Sequence, residues 1–464
     1  MNIKMPDEVQ YIINTLQAHG HEAYVVGGCV RDSLLGKEPK DWDICTPSLP
    51  EQTVKYFEGC RVIETGLRHG TVTLMLGGMP FEITTYRIDG EYTDNRRPDQ
   101  VKFVSSLRED LSRRDFTVNA MAYNPEMGIV DFFDGLGDLN AGIIKCVGDP
   151  DKRFREDALR IMRALRFASV LSYSIDRETA AAMHDNRGRL KNIAAERIAS
   201  ELNKLITGSG VRGVLSEHLP VVFEIIPELA PAAGFEQNNP HHCHDVLGHI
   251  LHSVENAPVD VVVRLAMLFH DIAKPGCYTE SDGVGHFYGH PKISSDMAGR
   301  ILSRLKYDNH TLEAVVLLVL HHDREIPPVP KSVKRWMNKI GEERFAQLIE
   351  AKKADAMAQS PDHRAKKLEI LNKISGLAEQ IIKQQQCFSL KDLAVNGRDL
   401  MAAGVSEGEQ IGVMLNCLLD MVIDGQVEND KTELLRTTRK IIGCDAIGAL
   451  QTNGRPGTVS PTDL

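Results

Sequence analysis

The chain contains 464 residues with a formal net charge of −10 and a hydrophobic content of 42%, which is typical of a globular protein. This length exceeds one ordinary domain and predicts two to four domains. No run approaches the roughly 18 apolar residues of a membrane span, and no secretion signal is visible, so no membrane partner is expected. Nine cysteines without a Cys-x-x-Cys pair favour reduced thiols in the cytoplasm. A polyanionic ligand would need a local basic surface, because the net charge would repel it.

Strand-like runs such as Thr71–Leu76 and Phe81–Thr85 alternate with helical patterns in the first third of the chain. Later segments have a helical pattern, for example Glu156–Val170, and a linker rich in proline and asparagine is expected between Pro227 and Pro240. We therefore predict an α+β multidomain protein. Its expected parts are an α/β head (1–148), a helical neck and body (149–235), a histidine-rich helical domain (236–360), a helical tail (361–446) and a disordered end (447–464).

A pair of glycines marks the first candidate site. Val25 and Val26 end a short apolar run typical of a strand, and Gly27 and Gly28 then permit a tight turn before a helix. A helix that starts after glycines presents free backbone N–H groups to phosphate, and Arg31 adds positive charge nearby. The segment therefore predicts a phosphate-binding turn.

Two aspartates follow this turn in the run Asp41-Trp-Asp-Ile. If the run is a strand, its period of two places Asp41 and Asp43 on one face and Trp42 on the other. Two carboxylates so placed can share magnesium ions, which also hold nucleotide phosphates. Glu82, in another predicted strand, is a candidate third acidic group. The alternative for all three is a solvated carboxylate on an exposed strand.

Residues 113–119 concentrate two arginines, an aspartate and an asparagine at the start of an apolar run. The planar guanidinium group of arginine offers a fork of donors that matches phosphate oxygens. Arg113 and Arg114 therefore indicate contacts with a triphosphate or a ribose, and a basic surface turn is the alternative.

A further segment carries Glu156, Asp157 and Arg160 and continues to Arg163 and Arg166. On one helix, Asp157 and Arg160 would share a face, where the ordinary interpretation is a weakly stabilising ion pair. The other interpretation is base selection. Cytosine and adenine both present an amino donor beside a ring-nitrogen acceptor, which a carboxylate and an arginine can satisfy. Uracil and guanine would leave both contacts unpaired, at a cost of about 1–3 kcal/mol for each buried group.

Residues 20 to about 206 resemble the class II tRNA nucleotidyltransferases, which are the CCA-adding enzymes and bacterial poly(A) polymerases of the polymerase-β superfamily. The resemblance implies a nucleotidyltransferase head, which transfers a nucleotide from CTP or ATP to the 3′-hydroxyl of tRNA without a nucleic-acid template and releases pyrophosphate. The matching segments are Gly27-Gly-x-Val-Arg-Asp32, Asp41-x-Asp43, Arg113-Arg-Asp-Phe-Thr117, Asp131-Phe-Phe-Asp-Gly135, Glu156-Asp-x-x-Arg160 and Glu196-Arg-Ile198.

The same resemblance implies roles for individual residues. Asp41 and Asp43 would be the catalytic pair and would bind Mg²⁺. The residues implied to bind the incoming nucleotide are Gly28, Arg31, Arg114, Asp157, Arg160, Arg163 and Arg166.

Two segments indicate which member of the family to expect. The polar run from 87 to 99 resembles the flexible loop of CCA-adding and A-adding enzymes, which CC-adding enzymes lack. Residues 62–72 resemble the CCA-adding version and lack the basic, aromatic run of the poly(A) polymerases. Full CCA addition is favoured, and A-only addition with a separate CC-adding partner stays open.

A histidine–aspartate pair at a predicted helix end, with a further histidine upstream, resembles an HD phosphohydrolase domain at 236–360. A phosphohydrolase acting on RNA ends or nucleotide 2′-phosphates is therefore an alternative main function. The resemblance implies a second divalent metal, of unknown identity, at a site in the same domain. Its implied ligands are His249, His270, Asp271 and Asp355.

Further histidines lie where related domains place additional ligands or phosphate contacts, namely His290 and either His321 or His322. The alternative is chance proximity, because the chain contains 17 histidines. Residues 388 to about 440 resemble the C-terminal helical segment of the tRNA nucleotidyltransferases, so the tail is expected to bind tRNA. Residues 151–204 hold 12 basic and 8 acidic side chains, a local charge of +4. That charge suits duplex RNA, and equally an ordinary solvated helix surface.

Overall fold

The computed structural model describes residues 2–89 and 101–443. The chain separates into two compact units, Met1–Ala230 and Pro231–Leu464, and the division lies inside the predicted linker. The first unit contains the main sheet and the second is largely helical, which confirms the predicted α+β fold class. The predicted loop at 87–99 lies mostly outside the described residues, and the predicted disordered end lies wholly outside them. The finer division into head, neck and tail stays a prediction.

The first unit follows the predicted order of an α/β part and then a helical part. Its elements are α1 (Asp7–Ala18), β1 (Tyr24–Val26), α2 (Gly28–Leu34), β2 (Asp43–Thr46), α3 (Pro50–Tyr56), β3 (Arg61–Ile63), β4 (Thr71–Leu76), β5 (Met79–Thr85), β6 (Arg87–Asp89), β7 (Val101–Phe103), α4 (Leu107–Ser112), β8 (Met121–Asn124), β9 (Gly128–Asp131), α5 (Gly135–Ala141), β10 (Ile143–Ile144), α6 (Pro150–Glu156), α7 (Leu159–Leu171), β11 (Ser174–Ile175), α8 (Arg177–Asn186), α9 (Ala195–Ile206), α10 (Val211–Glu217) and α11 (Leu219–Ile225).

A seven-stranded sheet forms the centre of this unit, in the order β3-β4-β5-β2-β1-β8-β9. β2 and β5 run parallel, and the other neighbouring pairs run antiparallel. β-Branched side chains such as Val25, Ile44 and Ile83 are buried in its core. The strand predicted at Thr71–Leu76 is confirmed as β4, and the one predicted at Phe81–Thr85 forms most of β5.

The strand that carries the two aspartates is shorter than predicted. β2 begins at Asp43, which is in register with Glu82 of β5, and Asp41 and Trp42 precede it. The ladder of β2 with β5 starts only at Asp43, and its ladder with β1 starts one residue later. The strand predicted from Asp41 onward is therefore wrong at its first two residues, although burial still alternates, with Trp42 and Ile44 more buried than Asp41 and Asp43. Asp41 is exposed and Trp42 is buried.

The second unit is built from helices and one short hairpin. Helices α13 and α17 pack against each other and against both α12 and α15, and α14 packs against α13 and α15. Its elements are α12 (Val246–Asn256), α13 (Val261–Phe269), β12 (Thr279–Ser281), β13 (Val284–His286), α14 (His290–Arg304), α15 (Asn309–His321), α16 (Pro330–Ile340), α17 (Glu342–Met357), α18 (Pro361–Lys383), α19 (Gly397–Ala402), α20 (Glu409–Ile423) and α21 (Lys431–Gly443).

The last helices of this unit bury a separate apolar cluster that includes Leu400, Leu418 and Leu434. Among the described residues, no helix combines the length and the apolar character that a membrane crossing requires. The cysteines of the described ranges are free thiols, as the sequence predicts.

Candidate functional site

Acidic side chains gather where β2 and β5 run side by side. Asp43 begins β2 and has Glu82 of β5 as its strand partner. Burial raises the pKa of Asp43 to about 6, and the negative charges of Glu82 and Asp41 act in the same direction, whereas Arg114 opposes the shift. The structure therefore brings both predicted aspartates close enough to interact, and it adds Glu82, which the sequence left open. A carboxylate whose pKa is raised by neighbouring negative charges lies in a site that favours cations.

The glycine turn lies against this acidic group. Gly27 links β1 to α2 with a φ of 83°, a conformation that favours glycine. A Cβ at Gly27 would lie 3.1 Å from Nη1 of Arg114. A residue without a side chain at this position therefore leaves room for the arginine. Arg114 pairs with the buried Asp110 at 3.5 Å. The predicted turn and the predicted arginine are thus direct neighbours.

Three of the predicted arginines surround one aromatic ring, that of Phe167 in α7. The guanidinium carbons of Arg31, Arg163 and Arg166 lie 5.1, 5.3 and 3.9 Å from the centre of the ring. Arg31 also donates from Nη1 to Oδ1 of Asn119 at 2.6 Å. Such cation–π contacts stabilise a charge that has lost part of its water. Sequence analysis missed Phe167, although its position four residues after Arg163 on a helix was the available signal.

Acidic side chains balance these arginines. Asp115 accepts from Nε of Arg163 at 2.8 Å and also from Nη2. Burial alone would raise the pKa of Asp115, but Arg163 outweighs that effect and lowers it to about 2. Arg166 pairs with Glu201 at 3.2 Å. Burial, together with the charge of Arg163, lowers the pKa of Arg166 to about 10, against the opposing effect of Glu201.

The predicted helical pair of Asp157 and Arg160 is wrong. The expected helix breaks at Asp157, whose extended backbone (φ −138°, ψ 103°) ends α6. The Asp157 carboxylate instead accepts from the backbone N–H of Leu159 at 3.0 Å, at the start of α7. Short polar side chains such as aspartate compete with helical hydrogen bonds in this way, which is why the chain turns here.

Each member of that pair has a different partner. Arg160 bonds to Glu156 at 2.8 Å and to the carbonyl oxygen of Arg113 at 3.0 Å. Asp157 pairs with Arg197 of α9 at 3.2 Å. Nη1 of Arg197 is buried without a hydrogen-bond partner among the described residues. Arg197 lies in the segment Glu196-Arg-Ile198, which marked the family resemblance but gave no sign of this contact.

A second group of ionisable side chains lies wholly within the second unit. Oδ2 of Asp271 lies 3.4 Å from Nε2 of His249 and 3.3 Å from Nε2 of His270. Its other oxygen, Oδ1, lies 3.2 Å from Nε2 of His290 and 3.6 Å from Nε2 of His322. We call these residues, together with Asp355, the histidine cluster.

The members of the histidine cluster come from five helices or their ends. Asp355 of α17 completes one half, with Oδ1 at 3.1 Å from Nε2 of His249. The ligand atoms of each half, His249, His270 and Asp355 in one and Asp271, His290 and His322 in the other, lie within 4.8 Å of one another. The structure therefore brings together the predicted set, and it selects His322 over His321, whose ring packs on Trp336 at 5.1 Å.

The four histidines of the cluster share one arrangement. In each ring Nδ1 lies near a backbone carbonyl oxygen, at 3.4 Å for His249, 2.7 Å for His270, 2.8 Å for His290 and 2.7 Å for His322. A carbonyl oxygen only accepts, so a neutral ring in this position has its proton on Nδ1 and its lone pair on Nε2. Metal-binding histidines are oriented by the same kind of contact.

The charges around the cluster also suit a cation. Burial lowers the pKa of His249 and of His322, which favours neutral rings. For His270 burial also acts to lower the pKa, but Asp271 outweighs it and raises that pKa. A proton on His270 and a metal ion would therefore compete for one lone pair. The nitrogen and oxygen donors fit a divalent transition metal.

A cavity of about 290 Å³ opens onto the cluster. Lys274 lies in its wall, with Nζ at 2.6 Å from Oδ2 of Asp271 and 2.9 Å from Oε1 of Gln237. On the far side, Lys367 pairs with Asp355 at 2.8 Å. The cavity thus combines candidate metal ligands with a buried positive charge, which is a suitable setting for a phosphate group.

Three family models match parts of this chain. They describe a poly A polymerase head domain at residues 23–145, a Probable RNA and SrmB-binding site of polymerase A at 172–215, and a tRNA nucleotidyltransferase domain 2 at 286–438.

Similar proteins extend these matches over nearly the whole chain. The CCA-adding enzyme of Levilactobacillus brevis is 35% identical over 93% of this chain and 98% of its own length. That of Lactiplantibacillus plantarum is 32% identical over 94% of this chain and 98% of its own. The crystal structure of the Bacillus stearothermophilus CCA-adding enzyme in complex with CTP gives a TM-score of 0.70 at 28% identity, covering 96% of this chain and 100% of that one.

These matches confirm the nucleotidyltransferase class that the glycine turn and the aspartate pair predicted. The chain belongs to the family of CCA-adding enzymes. The assignment of the histidine cluster to an HD domain stays a prediction.

We expect Asp115→Asn to destabilise the first unit, because it leaves Arg163 without its carboxylate partner. Breaking one side of a buried pair costs about 3 kcal/mol. The lowered pKa means that the stabilisation by Asp115 is complete above about pH 5 and is lost as the pH falls toward 2. Urea-unfolding midpoints of wild type and variant should therefore differ at pH 7 and approach each other in acid.

Asp185→Asn is the matched control, because Asp185 is an exposed aspartate of α8 in the same unit. Its unfolding midpoint should stay near that of wild type at every pH. If Asp115→Asn behaves like this control at pH 7, the buried pair does not stabilise the arginine group.

Proposed function

We propose that this protein adds or repairs the 3′-terminal CCA of tRNA, using CTP and ATP, and releases pyrophosphate. The observation that carries the proposal is the acidic group of Asp41, Asp43 and Glu82 beside Arg114 and the Gly27 turn. Carboxylates hold cations and arginine binds phosphate, so their neighbourhood suits a nucleoside triphosphate.

In the proposed reaction the 3′-hydroxyl oxygen of tRNA attacks the α-phosphorus of the nucleotide in line. The bond from that phosphorus to the pyrophosphate oxygen breaks, and the hydroxyl proton is released. Asp41 and Asp43 would hold Mg²⁺, which would supply positive charge to offset the negative charge that develops during the transfer. Arg31 and Arg114 bind the triphosphate, and Gly28 lets the phosphates approach the backbone.

Base selection follows from the residues near α7. Asp157 accepts the exocyclic amino group of cytosine or adenine, and Arg160 donates to the ring nitrogen after leaving Glu156. Arg197 holds the Asp157 carboxylate in place through the ion pair at 3.2 Å. Arg163 and Arg166 complete the pocket for the nucleotide.

The helical neck and body (149–235) and the tail (361–446) bind tRNA in this proposal. The local charge of +4 at 151–204 supports contacts with RNA phosphates. The expected domain boundaries are part of the same proposal.

The test of this function is extension of tRNAs that lack CCA, end in C or end in CC, followed at single-nucleotide resolution. We expect ordered addition of C, C and A from CTP and ATP, and then a stop. Extension of the CC-ending tRNA alone, with ATP alone, would identify an A-adding enzyme that needs a partner. No extension of any substrate would reject nucleotidyl transfer.

In the same assay Asp41→Asn should abolish extension, because it removes a charge that holds Mg²⁺. Binding of tRNA, measured by gel shift, should stay near normal, since the RNA surface is unchanged. Glu38→Gln removes an exposed charge three residues away and should extend tRNA like wild type. Normal extension by Asp41→Asn would refute the metal assignment.

Asp157→Ala should relax discrimination against UTP and GTP more than it lowers total incorporation. Losing a buried contact worth about 1–3 kcal/mol corresponds to roughly 5- to 150-fold in kcat/KM for CTP relative to UTP. Arg197→Ala should act in the same direction but less strongly, because it only frees the carboxylate to move. Equal losses with all four nucleotides would exclude base selection by Asp157.

A second function is favoured by the histidine cluster. We propose that His249, His270, Asp271 and Asp355 bind a divalent metal in an HD-type phosphohydrolase domain. The observation that carries this is the common orientation of the four rings, with Nδ1 on a carbonyl oxygen and Nε2 toward Asp271. His290 and His322 complete the second half of the cluster. When bound, the metal would activate water for attack on a phosphate ester.

If the cluster binds metal, Mn²⁺ or Ni²⁺ should raise the thermal midpoint of the full chain. A concentration 100 times the Kd stabilises by about 2.7 kcal/mol. Asp271→Asn should remove this shift, because Asp271 contacts both halves of the cluster. Asp323→Asn, an exposed aspartate at the edge of the same cavity, is the control and should keep the shift. A shift of equal size in Asp271→Asn would place the metal elsewhere.

A further inference from the structure

The segment from β13 to α14 forms part of the wall of the cavity above the histidine cluster. Tyr288 in this segment is 75% exposed. Its ring stacks on that of His286, with ring centres 5.3 Å apart and planes inclined by only 10°. His286 therefore supports the exposed ring of Tyr288 from one side and leaves its outer face open, and we call this pair the aromatic platform.

The platform is held in place by its neighbours. Phe287 lies between His286 and Tyr288 in the sequence. Its ring packs on that of Tyr278, with ring centres 5.6 Å apart, and its ring centre lies 5.1 Å from Nζ of Lys274. The backbone N–H of Gly285 donates to the carbonyl oxygen of Asn238 at 2.9 Å. A Cβ at Gly285 would lie 2.2 Å from the carbonyl oxygen of Gln237, so the hairpin packs as closely as a glycine allows. A surface held this way loses little entropy when a ligand binds.

The platform is also close to the cluster along the chain. His290 follows Tyr288 by two residues, which limits the distance between their Cα atoms to about 7 Å. Tyr288, His290 and Asp271 all line the same cavity of about 290 Å³. A ligand with a phosphate at one end and a flat ring at the other can contact both features at once.

We propose that the aromatic platform binds the base of a purine nucleoside phosphate whose phosphate lies at the histidine cluster. The proposal rests on the phosphohydrolase function proposed for the cluster, and it adds a base-binding surface and a preference for purines. A phosphate ester without an aromatic ring gains nothing from an exposed stacked pair. Stacking on aromatic side chains accepts every base and is strongest for the largest rings, which favours purines.

The test is calorimetric titration of the full chain with AMP, ribose 5-phosphate and inorganic phosphate. Mn²⁺ is present, and the same titrations of Asp271→Asn measure binding outside the histidine cluster. Wild type should bind AMP at least about tenfold more tightly than ribose 5-phosphate, because stacking contributes to affinity. Tyr288→Ala should reduce this ratio to near one and leave phosphate affinity unchanged, whereas Tyr288→Phe should retain the ratio.

Tyr11→Ala is the control, because Tyr11 is a 48% exposed tyrosine of α1 in the first unit. It should bind all three ligands like wild type. If Tyr288→Ala keeps the full preference for AMP while phosphate still binds, the platform has no role in base recognition. If wild type fails to bind phosphate, as Asp271→Asn is expected to, the phosphohydrolase function proposed for the cluster is rejected. The proposal for the platform, which rests on that function, is then rejected as well.

Discussion

The arrangement of arginines around Phe167 is the constraint on which the rest of the first unit depends. Three guanidinium groups share one ring, and like charges at this separation repel strongly once water is excluded. Asp115, which pairs with Arg163, and Glu201, which pairs with Arg166, reduce that repulsion. Arg163 and Arg166 both lie in α7, whereas Arg31 lies in α2, so the ring of Phe167 joins positive charges from two segments.

In the histidine cluster the signs are reversed: lysines pair with buried carboxylates, whereas in the first unit acids pair with arginines. Its carboxylates are buried, and Lys274 and Lys367 lie within hydrogen-bond distance of them. Burial would raise the pKa of Asp271, but His270 and Lys274 hold it well below its ordinary value. A buried charge persists only where such partners exist. In both units, therefore, the groups proposed for chemistry are kept in place by opposite charges that a substrate or metal would partly replace.

Sequence predicted the features that depend on local pattern or on a motif. β4 followed from alternation, and the acidic pair followed from its place behind the glycine turn. The break at Asp157 was missed because a capping carboxylate within an otherwise helical pattern carries no periodic signal. Arg197 and Phe167 were missed as site residues because their contacts join segments that only the tertiary fold brings together. Neighbouring residues on a helix point about 100° apart. Only one of His321 and His322 can therefore face the cluster, and the sequence does not show which one without the packing of α15.

The side chains proposed for chemistry separate between the two units. The proposed metal-binding and nucleotide-binding residues of nucleotidyl transfer lie in Met1–Ala230, and the histidine cluster and aromatic platform lie in Pro231–Leu464. Substitutions separated in this way have additive effects unless a shared element couples them. The helical segments proposed to bind tRNA occur in both units, so a change in tRNA binding can alter both proposed activities. Binding of tRNA, rather than shared chemistry, would then link the two proposed sites.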